Sequence, residues 1–357
     1  MTKFSISKNK LWLSCLGVAI FSAVVISLFF INRESEKAFS PEKILSSNLA
    51  KDGSYNNEGK VVPKHPIKLL FVGDMMFDRY IREGVNKYGS ENYNYIFEPI
   101  KDELAKYDLV VGNLEGPITD NQSVSVGTLM DEKNNFRFTF DPTVAKVLSE
   151  NNIKLVNLGN NHILNQEEKG VEQTKKYLSE ARVDYFGDTD GSEAKLPAGS
   201  LASRKEIGGN KIVFVNYNYS VAGSFERAIE EIKKAKDQVD VVILYAHWGT
   251  EYKVGDPGPS VRNLAHQFVD AGADLLIGTH PHVIEDSEVY NGQKIYYSLG
   301  NFIFDQYFQK ETMEGMGVEV TINPDRSMKY NELKFEMTKR GQTKLMQNAN
   351  VKNQNDN

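Results

Sequence analysis

The sequence predicts a layered α/β fold in which sheets are covered by helices. Three observations lead there. From residue 67 onward, apolar runs of strand length alternate with stretches whose apolar positions recur at helical spacing. Hairpin signals such as Gly208-Gly209-Asn210 and Asn291-Gly292 collect in the second half. No repeat of short period appears, which sets solenoids and propellers aside.

A chain of 357 residues with 40% hydrophobic content can bury a sizeable core, as one large domain or two smaller ones. The formal net charge is -6 and no basic block stands out, which argues against nucleic acid as a partner. The single cysteine, Cys15, rules out both an intramolecular disulfide and a thiolate metal site. Four of the six histidines, His162, His247, His280 and His282, fall at the strand ends discussed below. The other two have ordinary expectations: His65 solvated in a linker, His266 partly exposed on a helix.

Lys3, Lys8 and Lys10 precede an uncharged apolar run over residues 11–31. As a helix this run is about 31 Å long, close to the hydrocarbon thickness of a bilayer. Basic residues ahead of it keep the N-terminus (1–10) inside, so the main domain is expected outside the cell. A cleaved signal peptide would want a shorter apolar core and a small-x-small site. A lipoprotein would need its cysteine after the run, not near its start. An uncleaved, single-pass membrane anchor is therefore the expectation. Residues 32–66 are polar and lack apolar periodicity, and read as a linker with at most one short helix at 41–49.

The main domain is expected over 67–338. Strands are predicted at 67–72, 108–112, 154–158, 240–245 and 273–277, hairpins at 203–207/211–217, 288–290/294–297 and 317–322/329–337. Helices are predicted at 77–87, 96–106, 142–151, 167–181, 224–237 and 260–271. Residues 118–136 form a long irregular excursion, a candidate lid or binding loop. The tail over 339–357, rich in Asn, Gln and Lys, is expected to be disordered.

Five strands run directly into a metal-capable or acid/base side chain: Asp74, Glu115, Asn161 with His162, His247, and His280 with His282. Sites assemble at strand ends in α/β sheets. Each residue alone has a plainer reading, such as a turn residue, a surface charge, a loop cap or a core histidine. Five together, in a chain with so few histidines, point to one centre. If the backbone is extended there, His280 and His282 lie on the same side and converge on one point. Carboxylate, amide and imidazole donors suit Mn, Fe or Zn. There are enough of them for two metals sharing a carboxylate, which can activate water and clamp a phosphoryl group. His162 is better placed as a general acid than as a ligand.

The ordered set Gly73-Asp74, Asn113-Leu114-Glu115, Gly159-Asn160-Asn161-His162, His247-Trp248-Gly249-Thr250-Glu251, Gly278-Thr279-His280-Pro281-His282 and Ser298-Leu299-Gly300-Asn301-Phe302 resembles the CapA family. These are poly-γ-glutamate capsule synthesis proteins, themselves similar to calcineurin-like metallophosphoesterases. The resemblance covers about residues 67–304. It implies a four-layer α-β-β-α sandwich with a metal centre at the strand ends. Asp74, Glu115, Asn161, His247, His280 and His282 would be ligands, with Glu115 bridging, and His162 the acid. Met76 stands where the phosphoesterase pattern has a histidine, and Glu115 where it has an aspartate. Glu251 is either a replacement carboxylate or an exposed loop residue. The implied role is synthesis or export of poly-γ-glutamate, an anionic polymer, beside membrane synthase subunits. The alternatives are a metal-dependent phosphoesterase acting on an envelope phosphate ester, and a scaffold whose site has decayed.

Overall fold

The computed structural model describes residues 53–55, 61–187, 189 and 201–346. By contacts the chain divides into Met1–Lys51 and Asp52–Asn357, and the described residues belong to the second unit. The expected anchor at 11–31 and most of the linker lie outside the described residues. No helix among those described is long and apolar enough to cross a membrane. Within the linker, β1 (Gly53–Tyr55) pairs antiparallel with β2 (Val61–Pro63). His65 is exposed, as expected, and its backbone N–H donates to the Gly208 carbonyl at 3.2 Å.

The organising strand is β3, Ile67–Met75. Its side chains alternate: Leu69 and Phe71 enter one apolar cluster, Leu70 and Val72 another. A strand buried on both faces reads as a continuous apolar run, which is why it was legible in the sequence. Strands β4 (Leu109–Leu114), β5 (Ile153–Asn157) and β6 (Asp184–Phe186) follow in parallel. On the other side of β3 the sheet continues antiparallel through β14 (Glu314–Ile322), β15 (Met328–Met337) and β16 (Thr343–Leu345). A short β13, Asn301–Ile303, pairs in parallel with the end of β3.

The second sheet is made of β7 (Ala202–Ile207), β8 (Asn210–Asn218), β9 (Val241–His247), β10 (Leu275–Thr279), β11 (Ser287–Tyr290) and β12 (Gln293–Tyr296). Their order across it is β11-β12-β10-β9-β8-β7. Strands β8, β9, β10 and β12 are parallel, and hairpins close both edges. Gly208 and Gly209, both at positive φ, make the β7–β8 turn that the sequence predicts.

Three apolar clusters establish the layers. One joins Leu70, Val72, Val110 and Val156 to helices α1 (Arg79–Tyr88), α3 (Thr143–Glu150) and α4 (Glu167–Glu180), with α2 (Lys101–Leu104) at its margin. The second lies between the sheets, where Phe71 and Val111 meet Phe214, Tyr245 and Ile277. The third joins Val215, Leu244 and Leu276 to α5 (Ser224–Ala235) and α6 (Pro259–Ala271). The order is therefore helices, sheet, sheet, helices, in agreement with the layered α/β expectation.

Four features depart from expectation. The helix expected at 96–106 is a 3-10 turn, Tyr93–Ile96, and then the single turn α2. Pro99 lacks an N–H and disfavours helical backbone at the residue before it. Strand β6 went unread because three residues show no period. The tail is structured further than expected: Thr343, in β16, is buried, and its hydroxyl donates to the Phe302 carbonyl. Residues 347–357 lie outside the described set. Asp74 and His247 also sit inside their strands rather than beyond them.

Candidate metal centre

The parallel strands of both sheets finish at the same end of the domain. Asp74 of β3 lies beside Asn113 of β4, and Asn113 beside Asn157 of β5. Across the sandwich His247 lies beside Thr279 and Asn218. There the candidate ligands form two buried groups: Glu115 with His247 and His280, and Asp74 with Glu115 and His282. Within each group the ligand atoms lie within 4.8 Å of one another. Glu115 is common to both groups. Asn161 joins the first group, its Oδ1 lying 2.8 Å from His247 Nε2.

His280 and His282 do not converge on one point. Their ring centroids are 6.1 Å apart, and each serves a different group. The cause is backbone conformation: φ is +98° at His280 and +59° at His282, so the extended geometry expected of the pair is lost. Non-glycine residues at positive φ carry strain, which collects at functional sites. Asp74 helps to hold this turn by accepting the His280 backbone N–H at 3.1 Å.

Surrounding amides orient the ligands. Asn113 Nδ2 donates to Asp74 Oδ1 at 2.8 Å and lies 3.5 Å from Glu115 Oε2. Asn301 spends its amide hydrogens on Gln306 and the Thr312 carbonyl, so its oxygen accepts from His282 Nδ1 at 3.0 Å. His282 Nδ1 also lies 3.3 Å from Asp74 Oδ2, and its Nε2 lies 3.6 Å from Glu115 Oε1. An outer contact such as that from Asn301 fixes tautomer and ring direction. His162 follows the same logic. Asn165 Oδ1 accepts the Phe138 N–H at 2.8 Å, so the His162 Nδ1 beside it at 3.1 Å carries the proton. His162 Nε2 then offers a lone pair 4.0 Å from Glu115 Oε1.

The electrostatics favour a cation. Burial first, and then the neighbouring Asp74 charge, push the Glu115 carboxyl well above its usual range. Burial pushes His162 down to about 4 and His280 down to about 3. Glu115 Oε1 and His280 Nδ1 are buried without a hydrogen-bond partner. An orphaned carboxylate oxygen and imidazole nitrogen at one centre are what oxygen- and nitrogen-preferring divalent metals use, so the residues fit a metal. Met76 does not contribute: it is fully buried in the helix-side core, and its sulfur accepts the Asp78 N–H at 3.0 Å. The group containing Asp74 therefore has one imidazole where the other has two.

The family profile described as "Bacterial capsule synthesis protein PGA_cap" matches residues 68–306. The chain belongs to this bacterial capsule synthesis family. It is 32% identical over 271 residues to the capsule biosynthesis protein CapA of Bacillus anthracis, covering 67% of this chain and 60% of that one. It is 31% identical over 250 residues to the PGA biosynthesis protein CapA of Bacillus subtilis (strain 168), covering 66% and 63%. The chain thus spans about three-fifths of the length of these relatives. Among solved structures, a phosphatase from Mycoplasma pneumoniae overlays with a TM-score of 0.47 at 15% identity, covering 76% of this chain and 94% of that one.

In this capsule-family chain the sequence missed most of the supporting residues. Asn113 and Asn301 stand in the quoted stretches, but nothing in a single sequence separates an orienting amide from a turn residue. Arg79 left no signal at all. It is buried, donates to Asn135 Oδ1 at 2.8 Å and pairs with Asp305. Its guanidinium lies 5.0 Å from the Phe138 ring and 5.6 Å from the Phe304 ring. Those rings pack on His162 at 4.4 Å and His282 at 4.7 Å, so Arg79 braces both histidines from behind. Glu251 belongs to neither ligand group, and its charge adds to the upward push on Glu115.

Glu285, three residues past His282, carries a testable pH dependence. It is buried with Oε2 unpartnered, and burial, the largest cause, pushes it up to about 8. The folded state holds this proton more tightly than the unfolded chain does. Its contribution is therefore complete below the usual carboxylate range and lost as pH rises through about 8. Glu285→Gln should melt higher than the parent at pH 8.5, and the gap should close below pH 5, in thermal melts followed by circular dichroism.

Proposed function

We propose that this chain is a membrane-anchored, extracellular component of poly-γ-glutamate capsule synthesis or export, holding one or two divalent ions (Mn, Fe or Zn) at the strand-end centre. The observation that carries the metal reading is Glu115: fully buried, shared by two carboxylate–imidazole groups, with one oxygen unpartnered. The capsule and PGA biosynthesis roles in the relatives' names support the polymer reading. The apolar run at 11–31 supports the anchor. The partners are then the anionic polymer, membrane synthase subunits and the bilayer itself. A bound metal supplies Lewis acidity and neutralises anionic oxygen. The chain's own part is to hold the polymer's carboxylate or γ-glutamyl amide against the shared Glu115 edge. His162 Nε2 stands 4.0 Å from Glu115 Oε1, within reach of a proton exchanged there.

Elemental analysis of the purified full chain tests the metal: Mn, Fe or Zn at one or two equivalents is expected, and a well-folded, metal-free protein sinks it. Loss of surface polyglutamate in a deletion strain, restored by the full chain, tests the role.

The alternative, a phosphoesterase acting on an envelope phosphate ester, is favoured by one observation: His162 Nε2 stands 4.0 Å from the Glu115 oxygen that both ligand groups share. It requires aryl-phosphatase turnover that falls about 10²–10⁴-fold in His162→Ala, the usual worth of a general acid–base group. Absence of turnover in the metal-loaded parent rejects it.

A further inference from the structure

Exposed apolar side chains are not spread evenly over this domain. Among the described residues, the large hydrophobic side chains that face solvent gather on loops leaving the metal-centre end. The excursion after β4 exposes Leu129 (63%), Met130 (56%) and Phe136 (44%). The loops after β5, β8 and β13 add Leu164, Tyr219 and Phe308. Val124 and Val126 lie in the same excursion, Tyr80 at the start of α1 and Val254 in the loop after β9, whereas Tyr88, at the far end of α1, and Val289, on the edge strand β11, lie elsewhere. Exposed apolar patches of this kind mark interaction surfaces.

The patch is tied to the centre. Ser125 Oγ donates to Asp78 at 2.8 Å and Arg79 donates to Asn135, which pins the excursion beside the histidines. Phe308 packs edge-on against Tyr252 at 5.2 Å, Tyr252 stacks on His282 at 6.0 Å, and Tyr219 lies 4.7 Å from His280. Aromatic rings thus lead inward from the rim to both ligand groups.

The geometry points to a lipid bilayer as what covers this rim: the metal-centre end of the domain docks on the membrane surface, and anionic groups reach the ligands from the interface. The inference rests on the reading that residues 11–31 span the bilayer. The tether allows it. The chain joins the domain at Ile67, the end of β3 remote from the centre, and β3 is about 30 Å long at 3.3 Å per residue. Residues 32–52 can extend to roughly 70 Å at most, enough to turn the far end toward the membrane. Side chains such as Leu, Met and Phe, set among Tyr, are those that enter the headgroup–acyl boundary.

The test uses the full chain with Cys15→Ser and one new cysteine at a time: Leu129→Cys, Phe308→Cys, Tyr88→Cys or Val289→Cys. Each carries a bimane label and is reconstituted into phosphatidylethanolamine–phosphatidylglycerol vesicles containing doxyl lipid. Labels at 129 and 308 are expected to be quenched at least about twofold more than those at 88 and 289, since interfacial insertion reaches about 5–10 Å. Adding Leu164→Glu should weaken quenching at 308. A protein that fails to float with the vesicles overturns both the anchor and the docking. A protein that floats with equal quenching at all four positions overturns the docking alone. Rim labels shielded from iodide yet untouched by doxyl lipid would mean that protein covers the rim, and this also overturns it.

Discussion

Glu115→Gln is expected to lower bound metal at least about tenfold, because loss even of a contact that only supports a ligand costs 10–100-fold in affinity. Glu115 belongs to both ligand groups, so one substitution removes the charge that each needs. The same change should raise the stability of the metal-free protein. Burial and the adjacent Asp74 push Glu115 upward, and the two carboxyls share a hydrogen bond. The glutamine amide can donate to Asp74 without ionising. The folded pKa is raised, so in the parent the Glu115 contribution is complete at low pH and lost as pH rises. The variant escapes that loss, and its advantage grows with pH. Each kcal/mol of repulsion removed should lift Tm by roughly 2–4 °C. The two readouts, elemental analysis and melting of chelator-treated protein, must move in opposite directions. A variant that loses metal and also melts lower would show Glu115 to be a structural residue and not a ligand held under repulsion.

Gly278→Ala should cost about 3 kcal/mol, the upper end for forcing extra atoms into a packed interior. A Cβ there would stand 1.9 Å from the Tyr297 carbonyl oxygen and 2.7 Å from Trp248 Nε1. Those two atoms are already hydrogen-bonded to each other at 2.9 Å. The obstruction is backbone, so no rotamer change relieves it. Leu299 N–H also donates to the Gly278 carbonyl at 3.0 Å, which ties β10 to the segment leading into Asn301. Displacement therefore reaches His280 on one side and the Asn301 support of His282 on the other. Tm should fall by roughly 6–12 °C at 2–4 °C per kcal/mol, and metal content should fall with it. Gly127→Ala, where nothing lies within 4 Å of the added carbon, is the control, though its positive φ carries a small strain of its own. A Gly278→Ala protein that melts with the parent would show that the two segments part freely.

The two substitutions separate the chemistry of the centre from the frame that positions it. One removes a charge at the junction of two ligand groups and leaves the packing nearly unchanged. The other leaves every candidate ligand chemically intact and moves the backbone beneath two of them.

The sequence by itself determined the long strands, the candidate residues at their ends and the donor atoms those residues offer. Strands buried on both faces are unbroken apolar runs, so β3, β4, β9 and β10 could be read directly. The side chains at the C-terminal end of each run are those the sheet presents at its edge. Asp74, Glu115, Asn161, His162, His247, His280 and His282 were all named on that ground, and the fold brings them to one end of the domain. Only the tertiary structure decided how they divide. Which group each histidine serves depends on left-handed backbone at positions 280 and 282, which no side-chain pattern encodes. The amides of Asn113 and Asn301, and the buried Arg79, act across 39, 19 and 226 residues of sequence, on Asp74, His282 and Asp305 respectively. Contacts of that range leave no local period, because they exist only once distant strands and loops have come together.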